Sequence, residues 1–436
     1  MSSKGKSSAA TGGGVALVPK LRFPEFLDSD GWKEVCLQKL ARPVTDRATT
    51  GDADNVLSLS GEHGLVLQSD YFGKKIAGDS TDRYLKIRKD DFVYNDRTTK
   101  ASSFGTIKRL SSYSGGIVSP IYKCFRFQPS ESPAFWEWYF ESGSHDPALG
   151  GLVNEGARSG RFNVSVTQFL STNAWRPDEL EQQRIADCLD SVDALIAAQG
   201  RKVEALRVHK KGLMQQLFPQ EGETQPRLRF PEFEGAGEWE EGTISDIGTV
   251  LQGYGFPERY QGLRSGDFPF YKVSDISRSL GAGKTFIEEA ANYVNEDQLK
   301  ELRAKPIPAG TTVFAKIGEA IRSNKRAITT VSCLIDNNAA GVKAIKGRAT
   351  DFFIYLTMEQ ISLIDHAGGV VPAVNKSAIK AIPVRFPKIA EQQRIADCLT
   401  SLDDLITAET RKLKTLKTHK KGLMQQLFPQ VGKDDA

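Results

Sequence analysis

Cysteine is scarce: Cys36, Cys124, Cys188, Cys333 and Cys398 are spread over 436 residues without a C-x-x-C pair. That spacing suggests neither a disulfide framework nor a zinc site. The five histidines do not cluster with cysteines or carboxylates at ligand spacing, so no metal residue is assigned. No apolar run approaches the roughly 18 residues that a membrane span needs. The opening stretch, MSSKGKSSAATGGGVALVPK, lacks the apolar core of a secretory signal and reads as a disordered lead-in over 1–20. A cytoplasmic protein with no membrane partner is expected. Net charge is small as well, at +4, whereas a stand-alone nucleic-acid binder often carries far more. Either nucleic acid is not the ligand, or other subunits share the work of gripping phosphates.

Catalytic signatures are missing too. GAGKT at 281–285 suggests a phosphate-binding loop, but that motif needs a glycine where Arg278 stands. GYG at 253–255 lacks the third glycine of a dinucleotide fingerprint, since position 258 is Glu258. No carboxylate-x-lysine triplet of the nuclease kind occurs, and no Asn-Pro-Pro-aromatic run of the amino-methyltransferase kind. His209 and His419 read as surface residues of a basic HKK. No catalytic residue is assigned, and the chain is expected to be no enzyme by itself.

What the sequence does contain is a duplication. EQQRIADCL occurs at 181–189 and again at 391–399. Aligned over 181–220 and 391–430, the copies agree at 29 of 40 positions and end in the same HKKGLMQQLFPQ. A weaker echo precedes each variable region: LRFPEF at 21–26 with Trp32, and LRFPEF at 228–233 with Trp239. The chain therefore reads as two copies of one plan, and this duplication governs the architecture. With 39% hydrophobic and 26% charged residues, the composition suits a soluble globular protein of two or three domains.

The constant segments carry apolar residues at alternating spacings of four and three. The seam in the first copy runs through Ile185, Leu189, Val192, Ile196, Val203, Leu206, Leu213 and Leu217. In the second it runs through Ile395, Leu399, Leu402, Ile406, Leu413, Leu416, Leu423 and Leu427. This is a heptad pattern, interrupted at Gln199/Glu409 and Lys210/Lys420. Pro177 and Pro387 suit helix starts, and Pro219 and Pro429 suit helix ends. Gly200 is a candidate kink. Two seams of equal length are expected to pack on each other, antiparallel, as a spacer about 48 Å long at 1.5 Å per residue, or about 14 base pairs of duplex. Packing of each seam on its own domain is the plainer alternative.

The regions 33–175 and 240–386 hold short β-rich runs broken by Gly, Asn, Asp and Ser. Strands are expected in 116–127, 91–107, 267–276 and 310–330, with helices near 134–142 and 351–365. The fold class is α+β: two α+β domains separated by an antiparallel pair of long coiled-coil-like helices, with a pseudo-two-fold internal repeat. The boundaries are a lead-in 1–20, first domain 21–176, helix 177–220, linker and repeat lead 221–239, second domain 240–386, helix 387–430 and tail 431–436.

Polar loops in both domains carry residue types suited to base edges and phosphates. In the first these are Asn95, Arg97, Thr98, Lys100 and Ser102, then Arg158 and Arg161. In the second they are Lys316, Arg322, Asn324, Lys325 and Arg326, then Asn375 and Lys376. A basic surface loop is commonly just solvated; the pairing of two such loops in two similar domains is what makes them candidates.

These residues resemble the specificity (S) subunit of type I restriction–modification enzymes, over nearly the whole chain after Lys20. The similarity is carried by EQQRIADCLDSVDALI and EQQRIADCLTSLDDLI, each followed by HKKGLMQQLFP. SLSGEHGLVLQSDYF, RYLKIRKDDFVYND and GGIVSPIY resemble one group of target recognition domains. FPFYKVSDI, FAKIGEAI and DNNAAGVKAI resemble another. The resemblance implies two target recognition domains, each reading one half of a split, asymmetric double-stranded DNA site. It also implies two methyltransferase subunits that flip an adenine and methylate it with S-adenosylmethionine. Two further restriction subunits would translocate and cut DNA with ATP and Mg2+, in a bacterial or archaeal cytoplasm. No cofactor is expected in this chain. The repeated segments would then be equivalent docking and spacer elements for two identical partners. The competing expectation is a coiled-coil scaffold or adaptor that does not bind DNA.

Overall fold

The computed structural model describes residues 17–49, 55–73, 81–99, 102–152, 163–281 and 283–429. The chain divides into two compact units, one formed by residues up to Gln199 together with those from Leu413 on, the other by Gly200–Lys412. These units do not follow the boundaries at 177–220 and 387–430. Each takes half of each of the two long helices, Glu179–Leu217 and Ile389–Leu427.

The long helices begin and end where the prolines suggested. Asp178 accepts a hydrogen bond from the Glu181 amide at 3.0 Å, satisfying one of the free donors of the first turn. The first helix runs unbroken through Gly200. Inside the second unit the two helices run antiparallel: Lys202 pairs with Glu409 and Lys210 with Asp403, so position rises along one as it falls along the other. The first unit holds the corresponding pair, Lys420 on Asp193. Lys210 and Lys420, read as breaks in the apolar seam, are therefore charged cross-helix contacts.

The seam itself is uneven. Ile185, Leu189, Ile395 and Leu399 are buried, and Leu213 and Leu423 pack partly buried against the domain cores. Val192, Ile196, Leu206, Leu402, Ile406 and Leu416 are only half-buried. The helices thus bury their N-terminal turns and their last residues, Leu217 and Leu427, while of the seam between only Val203 is buried.

Each unit carries a central antiparallel sheet of the same strand order. In the first, the neighbours are Ala41–Pro43, Lys123–Phe127, Phe92–Asn95 and Thr106–Arg109. In the second they are Gly248–Gln252, Ala339–Ala344, Thr312–Ala315 and Arg326–Thr329, with Phe286–Ile287 added in parallel at the edge. A second sheet accompanies each, and it contains one parallel pair: Val56–Ser60 with Gly115–Val118, and Phe268–Tyr271 with Leu334–Ile335. Behind the central sheet lies a helix capped by a hydroxyl, Pro133–Glu141 on Ser132 and Asp351–Gln360 on Thr350.

Several local expectations need correction. The stretch 116–127 is not one strand: a turn in which the Tyr122 amide bonds to the Ser119 carbonyl sends Gly115–Val118 and Lys123–Phe127 into different sheets. In 267–276 the strand stops at Tyr271 and the helix Val273–Gly281 follows. The helix expected over 351–365 ends at Gln360, and a separate turn covers Leu363–His366. The end of the expected disordered lead-in is paired, since Leu17 exchanges both backbone bonds with Trp32.

The four residues EQQR have the same partners in both units. Glu181 and Glu391 take bidentate bonds from Arg22 and Arg229, at 2.7 to 2.8 Å. Gln182 and Gln392 accept from the Ser132 and Thr350 amides and donate to the Pro177 and Pro387 carbonyls. Gln183 and Gln393 bond to Asp187 and Asp397 one turn on. Arg184 and Arg394 pair with Glu25 and Glu232 and lie over the Phe23 and Phe230 rings. Glu and the first Gln are fully buried, so their repetition reflects an internal frame rather than docking alone.

The first unit's core also encloses His145, which lies against Phe140 and Phe169 with Nε2 3.0 Å from Thr172 Oγ1 and Nδ1 without a partner. Burial pushes its pKa down to about 3. The unfolded chain takes up this proton near pH 6.5 while the folded chain does not. Stability from neutral His145 is therefore full above about 6.5 and lost as pH falls toward 3, by up to about 1.4 kcal/mol per pH unit. Urea midpoints at pH 7 and pH 5 should show this loss, and His145→Gln should flatten it.

Candidate nucleic-acid interface

The two predicted loops leave equivalent strands of the central sheets. Asn95 is the last residue of Phe92–Asn95, and Lys316 directly follows Thr312–Ala315. Each opens on a cleft.

The first cleft, of about 560 Å3, is lined among others by Asn95, Arg97, Thr99, Ser102 and Lys108. Asn95 Oδ1 accepts the Arg97 amide at 3.2 Å, fixing the turn that presents the exposed Arg97. Thr99 and Ser102 exchange backbone bonds and close the loop. Thr98 is half-buried beside them and is not among the cleft residues. Glu141 and Asp146 also line the cleft, and Glu141 holds Lys108 at 3.0 Å. Lys100, Arg158 and Arg161 lie outside the described residues.

The second cleft, of about 650 Å3, brings Lys316 and Asn375 together with Gln252, Asp365 and His366. Partial burial lowers the Lys316 pKa, which Asp336 nearby counteracts. Asn375 has a structural duty as well, capping the helix Lys376–Ala381 through the Ala378 amide at 2.8 Å. Lys376 opens that helix and is exposed. Arg322, Asn324 and Lys325 are exposed on the turn after Glu319–Ile321 but do not line this cleft, and Arg322 is held by Glu319 at 3.0 Å.

Arg326 contradicts its assignment. It is 2% exposed, opposite Phe314 in the strand register, with its guanidinium 5.8 Å from that ring. Nη2 donates to Asn324 Oδ1 and the Ile361 carbonyl, while Nε and Nη1 have no partner. Burial lowers its pKa to about 10. A basic loop says nothing about which cation turns inward; strand register does. Arg326→Met should change stability and leave the salt dependence of duplex binding untouched. Lys325→Ala, if Lys325 meets a phosphate, should reduce the salt slope by about 1.

Gln252 escaped the sequence reading. It ends the strand Gly248–Gln252, is exposed, and can bond an adenine edge bidentately. The signal was the glycine after it: a Cβ on Gly253 would lie 1.7 Å from the Asp336 carbonyl oxygen, so only glycine lets the chain turn there.

A family model described as the type I restriction modification DNA specificity domain matches residues 236–418. Residues 236–418 are thus similar to that domain. The chain is 25% identical over 277 residues to the putative type I restriction enzyme MjaX specificity subunit of Methanocaldococcus jannaschii. That match covers 61% of this chain and 60% of the relative. It is likewise 25% identical over 260 residues to the MjaVIII specificity subunit of the same organism, covering 57% and 59%. The chain thus spans about 60% of the length of these curated relatives. Among solved structures, a chain from work on complex assembly and conformational transition of the type I R-M system shares the fold, with a TM-score of 0.56 at 15% identity. That alignment covers 92% of this chain and 98% of that one. The type I restriction–modification S subunit from M. genitalium is similar, with a TM-score of 0.53 at 13% identity over 96% of this chain and 100% of that one. Among the described residues, no helix is long and apolar enough to cross a membrane.

Proposed function

We propose that the chain is the non-catalytic DNA-reading subunit of a type I restriction–modification system, and that its two units read unlike halves of a gapped, asymmetric duplex site. One observation carries this reading: the frame is the same in both units while the cleft residues differ. Arg22–Glu181 recurs as Arg229–Glu391, yet Asn95, Arg97 and Thr99 in one cleft stand against Gln252, Lys316 and Asn375 in the other. Identical readers would demand a palindrome, as symmetric dimers do; unlike readers on a shared frame suit a site with two different halves.

The chemistry divides accordingly. Arg97 and Gln252 offer bidentate donors and acceptors for base edges, and the lysines offer charge to phosphates. Two methyltransferase subunits with S-adenosylmethionine, and two restriction subunits with ATP and Mg2+, are assigned to the surface of the repeated frame, in the cytoplasm of a bacterium or archaeon. The long antiparallel helices would serve as the spacer between the two target recognition domains.

The test is duplex binding by the chain assembled with its partners. Arg97→Ala and Gln252→Ala should each relax base preference in one half-site only, by about 1–3 kcal/mol at the position read. Uniform weakening on every duplex by both variants would reduce these residues to phosphate contacts. No duplex binding even at low salt would favour the adaptor reading instead.

A further inference from the structure

The turn 369–372 of the second unit is an apolar tip on a polar base. Val370 is 105% exposed and Val371 63%, the former the most exposed large apolar side chain among the described residues. Such exposure normally costs a loop nothing if the loop is loose, but this one is held. Gly368 and Ala373 exchange both backbone hydrogen bonds at 3.1 Å, closing a narrow hairpin. A further pair ties that hairpin to the end of the central sheet: the Gly318 amide donates to the Pro372 carbonyl at 2.8 Å, and the Val374 amide to the Lys316 carbonyl at 2.9 Å. Gly369 takes φ +90, and a Cβ there would stand 3.3 Å from the Val371 carbonyl oxygen, so the turn is built on a residue that needs to be glycine. Val374, just behind the tip, is buried at 2% and anchors the segment in the core.

The base of the same hairpin forms one wall of the second cleft, where Gly368 and Ala373 line it with Gln252, Lys316, His366 and Asn375. A stiff aliphatic tip therefore projects beside hydrogen-bonding and cationic groups, and a partner must offer both kinds of contact at once. Duplex DNA does so in its major groove, where the thymine C5-methyl is the apolar feature on an otherwise polar edge. Width points the same way. Two paired strands about 4.8 Å apart, with side chains, fit a groove about 12 Å wide and not one about 6 Å wide. Valine is short and β-branched, stiff about its first torsion, so it suits contact with a base edge better than insertion between stacked bases.

Resting on the reading of this unit as a DNA reader, we propose that Val370 and Val371 read a thymine methyl group in the major groove of the half-site. They are specificity-determining residues, while Gln252 and Lys316 hold the neighbouring polar positions.

The test uses the chain with its methyltransferase partners and a duplex obtained by selection. Each thymine is replaced in turn by deoxyuridine, which removes one methyl and nothing else. Binding by the wild type should weaken about fourfold at one position in this half-site, the worth of a buried methyl. The double variant Val370→Ala, Val371→Ala should bind the thymine duplex more weakly and lose the deoxyuridine effect at that position, with an unchanged melting temperature. The inference is overturned if no deoxyuridine affects the wild type, or if the effect persists undiminished in the variant. Unaltered DNA binding with loss of the methyltransferase subunit would overturn it as well, making the tip a protein contact. A wild-type complex without any sequence preference would instead defeat the DNA-reading function itself.

Discussion

Glu391→Ala should destabilise the protein by about 3–5 kcal/mol. Its carboxylate is buried, takes both Arg229 Nε and Nη2, and accepts Trp239 Nε1 at 3.2 Å. A guanidinium does not deprotonate in a protein, so Arg229 stays charged when its partner is lost. A buried charge left unpaired is among the costliest single changes a fold can suffer. Glu181→Ala should behave in the same way, stranding Arg22, whose side chain is 4% exposed. Arg394→Ala is the control. Its pair with Glu232 is about half exposed on both sides and should be worth at most about 1 kcal/mol. Urea unfolding of the three variants separates these cases. Equal losses in all three would mean that the repeated carboxylates are not the buried fasteners of the frame.

The second large effect lies on the long helices. Leu189→Ala and Leu399→Ala should each cost about 2–5 kcal/mol, because both side chains are fully buried among residues of a domain core and their removal opens a cavity. Leu206→Ala and Leu416→Ala occupy the same heptad seam but are only half-buried, so less apolar surface is lost and water can fill the space. They should cost clearly less. Melting temperatures of the four variants test the distinction. A uniform loss would mean that the seam is packed evenly along its length.

The seam also shows where a sequence can be read and where it cannot. Periodicity located both helices and prolines placed their ends, because helix geometry depends on neighbours in the chain. It could not say that the helix ends are sealed while most of the seam between them is half-open, since that depends on contacts such as Phe428 on Trp32 in one unit and Phe218 on Trp239 in the other. Lys210 and Lys420 looked like faults for the same reason: Asp403 and Asp193, their partners, are about 200 residues away in the chain. The α+β character of both domains was legible from short runs and turn residues. The split at 119–122 was not, because the alternating pattern continues across a turn that changes sheets.

The candidate site divided in the same way. Asn95 and Lys316 were found because a strand entering a polar loop is a local pattern. Arg326 was misassigned because its direction is set by pairing with Phe314, and Gln252 was missed because its cleft is assembled from segments more than 100 residues apart. Composition names the residue types; register and crossing chains decide which of them face outward.

Two unlike readers on one repeated frame should select a site with two unlike halves. Selection from a random duplex pool by the chain isolated with its native partners, followed by sequencing, tests it most directly. The expected consensus has two different halves separated by a gap of fixed length. A single contiguous or palindromic motif would contradict it.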